Sequence, residues 1–118
     1  MDLVSKLQLK QNSLVALLEP PEGADAALDG LNTTSYTADA DALIVFVVDR
    51  EALERCRAEI IGAVGRDALV WVAYPKAGQL GTDLNRDLLA VALAGQGVRP
   101  VRQIAVDELW SALRFRPA

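Results

Sequence analysis

The stretch Lys76-Ala-Gly-Gln-Leu-Gly-Thr-Asp83 carries the residue types best suited to binding chemistry. It combines a cation (Lys76), two glycines that let the backbone turn toward a ligand (Gly78 and Gly81), and a helix start at Thr82-Asp83. The first N–H groups of a helix lack intrahelical partners and its dipole favours negative charge, so this combination suits a carboxylate or phosphate. The same residues also fit a plainer purpose. Thr82 is a good N-cap, Asp83 and Asp87 suit the positive end of a helix dipole, and Lys76 can sit in solvent. Asp83 or Asp87 with Arg86 reads as a surface ion pair worth at most about 1 kcal/mol. Glu19 and Glu22 flank Pro20-Pro21 and form a second candidate, a carboxylate pair whose geometry the prolines leave open.

What the chain lacks narrows the chemistry further. It has no histidine and a single cysteine, Cys56. The usual general base near neutral pH, the commonest transition-metal ligand and every Ser-His or Cys-His nucleophile arrangement are therefore missing. One cysteine also excludes an internal disulfide and a multi-cysteine metal site. No metal and no cofactor are expected. Cys56 falls on the apolar face of a predicted helix with Leu53, Ile60 and Val64, which reads as a small core residue rather than a nucleophile.

The 118 residues suit one domain, 1–118, and the 52% hydrophobic and 24% charged content calls for a packed core. Net charge is −4 and unevenly spread: residues 1–50 carry −5 and residues 51–118 carry +1. An acidic chain of this kind is not expected to bind nucleic acid. Arg99, Arg102, Arg114 and Arg116 read either as a local basic patch or as a solvated strand surface. No apolar run is long enough to span a bilayer, and no basic segment leads into a hydrophobic block near Met1. A cytoplasmic protein with no membrane association is expected.

Apolar periodicity supplies the elements that must position these residues. Continuous apolar runs at 13–18, 42–48 and 68–74 predict strands buried on both faces, the last halted by Pro75. Thr33–Thr37 predicts an edge strand, and 101–106 with 111–115 an antiparallel hairpin, since Asp107–Trp110 is too short for a crossover helix. Short helices are predicted at 2–9, where it would lie as a lid, and at 24–31. Asp49 caps a helix over 50–64, with Glu51–Arg55 and Arg55–Glu59 as charge pairs. Thr82 caps a further helix, with Leu84, Leu88, Val91 and Ala92 as its buried stripe and Gly95 or Gly97 at its end. Six strands and three main helices make an α/β fold of three layers around a mostly parallel sheet. Trp71 and Trp110 read as core or interface residues. Because few helices cover the sheet, a homodimer burying one of these tryptophans is expected.

The order of elements from Leu69 onward resembles the C-terminal half of a Rossmann-like methyltransferase. That resemblance implies the strand order 2-1-3-4-6-5, with strand 6 antiparallel to its neighbours. Nearly the whole chain is similar to a family of uncharacterised bacterial proteins, a domain of unknown function. Its words here are Tyr74-Pro-Lys76, Thr82-Asp-Leu84, Arg86-Asp87, Gly97, Arg99-Pro-Val-Arg-Gln103, Asp107 and Trp110-Ser-Ala-Leu-Arg-Phe-Arg-Pro117. The family implies a fold and no known reaction. Methyltransferases place a glycine-rich turn after strand 1 and an acidic residue after strand 2. This chain has Glu19-Pro-Pro-Glu-Gly23 at the first position and only about five residues between its second and third strands, so an inherited cofactor site is expected to be lost.

Three functions remain open. The chain is read first as a non-catalytic Rossmann-like module binding a small anionic ligand or a protein partner, through Lys76, Gly78, Gly81, Thr82 and Asp83. The alternatives are a degenerate or unusual S-adenosylmethionine-dependent methyltransferase, and a structural protein acting as a homo-oligomer.

Overall fold

The computed structural model describes residues 6–9, 13–21, 32–34, 40–76 and 78–118. Its strands are β1 (Leu14–Leu18), β2 (Asn32–Thr34), β3 (Ala42–Phe46), β4 (Leu69–Pro75), β5 (Val98–Ala105) and β6 (Trp110–Pro117). Its helices are α1 (Arg50–Gly65) and α2 (Arg86–Leu93), and a 3-10 turn spans Gln79–Gly81. The six strands form one mixed sheet in the order β2-β1-β3-β4-β6-β5. β1 pairs in parallel with β2 and β3, β3 pairs in parallel with β4, and β6 lies antiparallel to both β4 and β5. This is the expected order and sense.

The central strands are apolar throughout because both of their faces are covered. Every residue of β3 is buried. Alternation divides the side chains between two cores. On the first face Leu43, Val45, Val70, Val72, Leu113 and Phe115 meet α1 through Leu53, Cys56 and Ile60, and α2 through Leu89 and Leu93. On the second, Ile44, Phe46, Trp71, Ala73, Trp110 and Ala112 pack with Leu7. Both described helices thus lie on one face. The helix expected at 24–31 and the first half of that at 2–9 lie outside the described residues, as do residues 35–37 of the expected edge strand.

Asp41 ties the amino-terminal ends of three strands together. Its Oδ2 accepts from the Leu14 N–H at 2.9 Å, its own N–H donates to the Leu14 carbonyl at 2.8 Å, and its carbonyl accepts from the Leu69 N–H at 3.1 Å. At the other end, α1 opens on Asp49, whose extended backbone and side chain (accepting from the Ala52 N–H) form the expected N-cap. The helix closes with Asp67 at φ 62°, a left-handed position that aspartate tolerates better than most residues.

Several expected boundaries shift. Pro75 is the last residue of β4, opposite Trp110, rather than the stop before it. Proline has no N–H to give, and the next ladder bond comes instead from the Lys76 N–H to the Leu109 carbonyl at 2.8 Å. β3 ends at Phe46, two residues early, and β5 begins at Val98, three residues early. The second helix starts at Arg86 on an Asn85 cap whose side chain accepts from the Leu88 N–H, so Thr82 does not cap it. Its buried stripe is Leu89 and Leu93, whereas Leu88 and Val91 face solvent. Trp71 is fully buried and Trp110 nearly so within the chain itself, which removes the reason for a dimer through either tryptophan.

Candidate functional site

The loop after β4 lies beyond the carboxyl end of a central strand, where open α/β sheets carry their ligands. The Tyr74-Pro75-Lys76 exit sets its start: the Lys76 carbonyl accepts from the Gln79 N–H at 2.8 Å, turning the chain sharply. Gly78 at φ 78° and Gly81 at φ 68° take left-handed conformations that a side chain would resist. Between them Leu80 adopts φ 55° without being glycine, and it is 53% exposed. A bulky apolar side chain held outward on a strained backbone is the most unusual feature of this loop.

Thr82 and Asp83 are placed differently from expectation. The Thr82 hydroxyl accepts from the Leu84 N–H at 3.0 Å, a local turn, and Leu84 itself is buried in the first-face core. Asp83 does not serve its own helix. Its Oδ1 accepts from the Arg50 N–H at 2.9 Å, at the start of α1. Asp49 already binds the Ala52 N–H there at 2.9 Å. Two carboxylates from different loops therefore accept from two of the first N–H groups of α1 and complement its dipole. The chain thus sets two carboxylates of its own at this helix start, and their charge works against an external anion there. Of the residues expected to form the site, Lys76, Gly78 and Gly81 stay together on the loop, while Thr82 and Asp83 serve structure.

At the end of β1 a second cluster forms that the sequence does not display. Glu19, at φ 51°, turns back over α1 and holds two neighbours. One oxygen accepts from Arg55 Nη2 at 2.7 Å, and the other accepts from the Cys56 thiol at 3.0 Å. The Arg55 hydrogen bond, with that of Cys56, keeps the Glu19 carboxyl below its usual range. Burial, and then the Glu19 hydrogen bond, push the Cys56 thiol up to about 12. Such a thiol is neutral and poorly nucleophilic near neutral pH. Glu22 lies outside the described residues, so the carboxylate pair is not formed among those described. Arg55 also approaches Glu51 at 3.8 Å, and Arg86 approaches Asp87 at 3.6 Å.

Tyr74 is the remaining group of interest near the loop. Its hydroxyl accepts from Gln103 Nε2 at 2.9 Å, and burial raises its pKa against the opposing charge of Arg86. It is a locked core phenol. Among the described residues no group of three or more Cys, Asp or Glu side chains is placed to hold a metal ion. No described helix is long and apolar enough to cross a membrane. No protein-family model matches the chain, and no curated protein matches it.

Proposed function

We propose that the chain is a non-catalytic Rossmann-like module that binds a small anionic ligand or a protein partner through the loop at residues 76–83. Leu80 is the observation that carries this reading. It is exposed, left-handed and apolar, on the same loop as Lys76, which crowns a central strand. Strain of this kind costs of order 1–3 kcal/mol and tends to persist where a contact surface needs it. Binding is favoured over catalysis because the nearby groups that could move protons or attack substrates are engaged elsewhere. Asp49 and Asp83 cap α1, Glu19 holds Arg55 and Cys56, and Tyr74 is buried on Gln103.

The alternative of S-adenosylmethionine chemistry fits the residues less well. A cofactor cradle after the first strand requires backbone N–H groups at close approach. This chain turns there on Glu19-Pro20-Pro21, and the Glu19 side chain folds back onto α1. A homodimer is a second reading, favoured by Leu88 and Val91. These lie one helical turn apart on the outward side of α2 and are 40% and 71% exposed.

A thermal-shift panel of nucleotides, S-adenosylmethionine, carboxylates and phosphate tests the loop. A ligand at 100 times its Kd should stabilise the fold by about 2.7 kcal/mol. Lys76→Ala and Leu80→Ser should each weaken that shift while leaving the unliganded melting temperature nearly unchanged. A ligand shift that both variants keep in full removes the loop as the site, and a shift confined to S-adenosylmethionine favours the methyltransferase reading.

A further inference from the structure

Four arginines of the β5–β6 hairpin are gathered on one face of the sheet by a β-bulge. Trp110 and Ala112 of β6 point into the second-face core, so Arg114 and Arg116 project from that same face. β5 places Arg102 opposite Arg114, and Arg99 opposite Arg116. Arg99 and Arg102 are three residues apart and would face opposite sides of a regular strand. The register shift between Pro100 and Arg102 inserts one residue and brings both to the arginine side. The result is two directly opposed pairs, about 7 Å apart along β6.

Like charges set directly opposite each other destabilise a sheet. Here no ion pair offsets them: none of the four makes one among the described residues. Asp67 acts on Arg114 only through its charge, and burial, with the charges of Arg116 and Arg102, lowers the pKa of Arg114. Arg114 Nη1 donates to Gln8 Oε1 at 2.6 Å, and Arg99 Nε donates to the Pro117 carbonyl at 3.3 Å. The Arg114 Nε–H is buried and has no acceptor among the described residues. Charges on β5 are accounted for by the need to protect an open sheet edge. That need does not reach Arg114 and Arg116, which stand on the interior strand.

We propose that this arginine quartet binds a small ligand carrying two or more phosphate-type oxyanions, the chemistry shared by free diphosphate or triphosphate and by the tails of nucleotides. Guanidinium forks grip phosphate oxygens in bidentate fashion, and two opposed pairs call for two anionic groups. The net charge of −4 works against extended polyanions and favours a compact one. The site lies on the hairpin face and does not depend on the loop at 76–83.

Calorimetry at low salt with inorganic diphosphate and triphosphate tests it, with inorganic phosphate, ADP and a DNA oligonucleotide as comparison arms. Saturable binding of diphosphate or triphosphate, tighter than inorganic phosphate and weakened by salt, is expected. ADP binding no more tightly than diphosphate assigns recognition to the phosphates, and tighter ADP binding assigns the nucleotide as the source. Arg102→Gln and Arg116→Gln, both at exposed positions, should each weaken binding at least about tenfold, the scale of a hydrogen bond to a charged group. Arg50→Gln, which removes a charge elsewhere, should not. No binding at millimolar diphosphate, equal loss in all three variants, or binding of the oligonucleotide alone would overturn the proposal.

Discussion

Glu19 is held by two neighbours of different kind, and each leaves its own mark on the pH dependence of stability. Its carboxyl is lowered by Arg55 and Cys56 below the ordinary 4.5. The unfolded chain therefore binds more protons in the acid range, and this part of the stability is present above pH 4.5 and lost as pH falls through the folded value. Cys56 acts in the opposite sense. With its pKa raised from 9.0 to about 12, the folded state holds the proton longer. Stability is then fully present below pH 9.0 and lost as pH rises toward 12, by as much as roughly 4 kcal/mol. Glu19→Gln should remove part of the acid limb. It should also lower the thiol midpoint, which stays above 9.0 because burial is the larger cause. Urea unfolding across pH, with thiolate absorbance on the same samples, reads both limbs. An unmoved thiol midpoint in the variant would show that the Glu19–Cys56 contact does not form in solution.

The start of α1 and the start of α2 behave differently as elements, and the difference explains what the sequence could reveal. Asp49 before a periodic helix reads as a cap, and the structure agrees, because a single candidate stands next to a well-marked apolar face. Before α2 the candidates are Thr82, Asp83 and Asn85, and local rules do not choose between them. Tertiary contacts choose: buried Leu84 and the Asp83 bond to the Arg50 N–H hold 82–85 extended, leaving Asn85 to cap. The run Leu88–Leu93 is apolar almost all round, so periodicity alone cannot tell the Leu88–Val91 side from the Leu89–Leu93 side. The Glu19 cluster and the Trp71 Nε1 bond to the Leu7 carbonyl at 2.9 Å join residues far apart in sequence, which no spacing rule reaches. The arginine quartet was visible as composition, while its single face depends on a bulge that only the pairing shows. Asn85→Ala should cost about 1 kcal/mol, and Asp83→Ala a similar amount through α1. Thr82→Ala should cost less than either. Urea midpoints at unchanged slope measure all three, and a larger loss for Thr82→Ala would return the cap to Thr82.

At the scale of the whole molecule, the question is which surface a second copy would use. The sheet face that carries Trp71 and Trp110 is closed within the chain: Leu7 packs on it, Phe46 meets Trp110 edge-on at 5.5 Å, and Trp71 is fully buried. The outer strand β5 is a poor dimer edge, since Pro100, a bulge and two arginines interrupt it, and two copies would bring like charges together. Among the described residues the outward side of α2 is an apolar candidate, with Val91 and Leu88 exposed one turn apart and an Arg86–Asp87 pair at its start. A two-fold axis across this helix would set the same patch against itself, as closed dimers require. Light scattering across micromolar concentrations should then give twice the chain mass. Val91→Glu should return it to the mass of one chain while leaving the melting temperature of the monomer nearly unchanged, since the replaced side chain touches little within its own fold. A single-chain mass for the unaltered protein at every concentration would leave α2 as an ordinary solvated helix and remove the dimer.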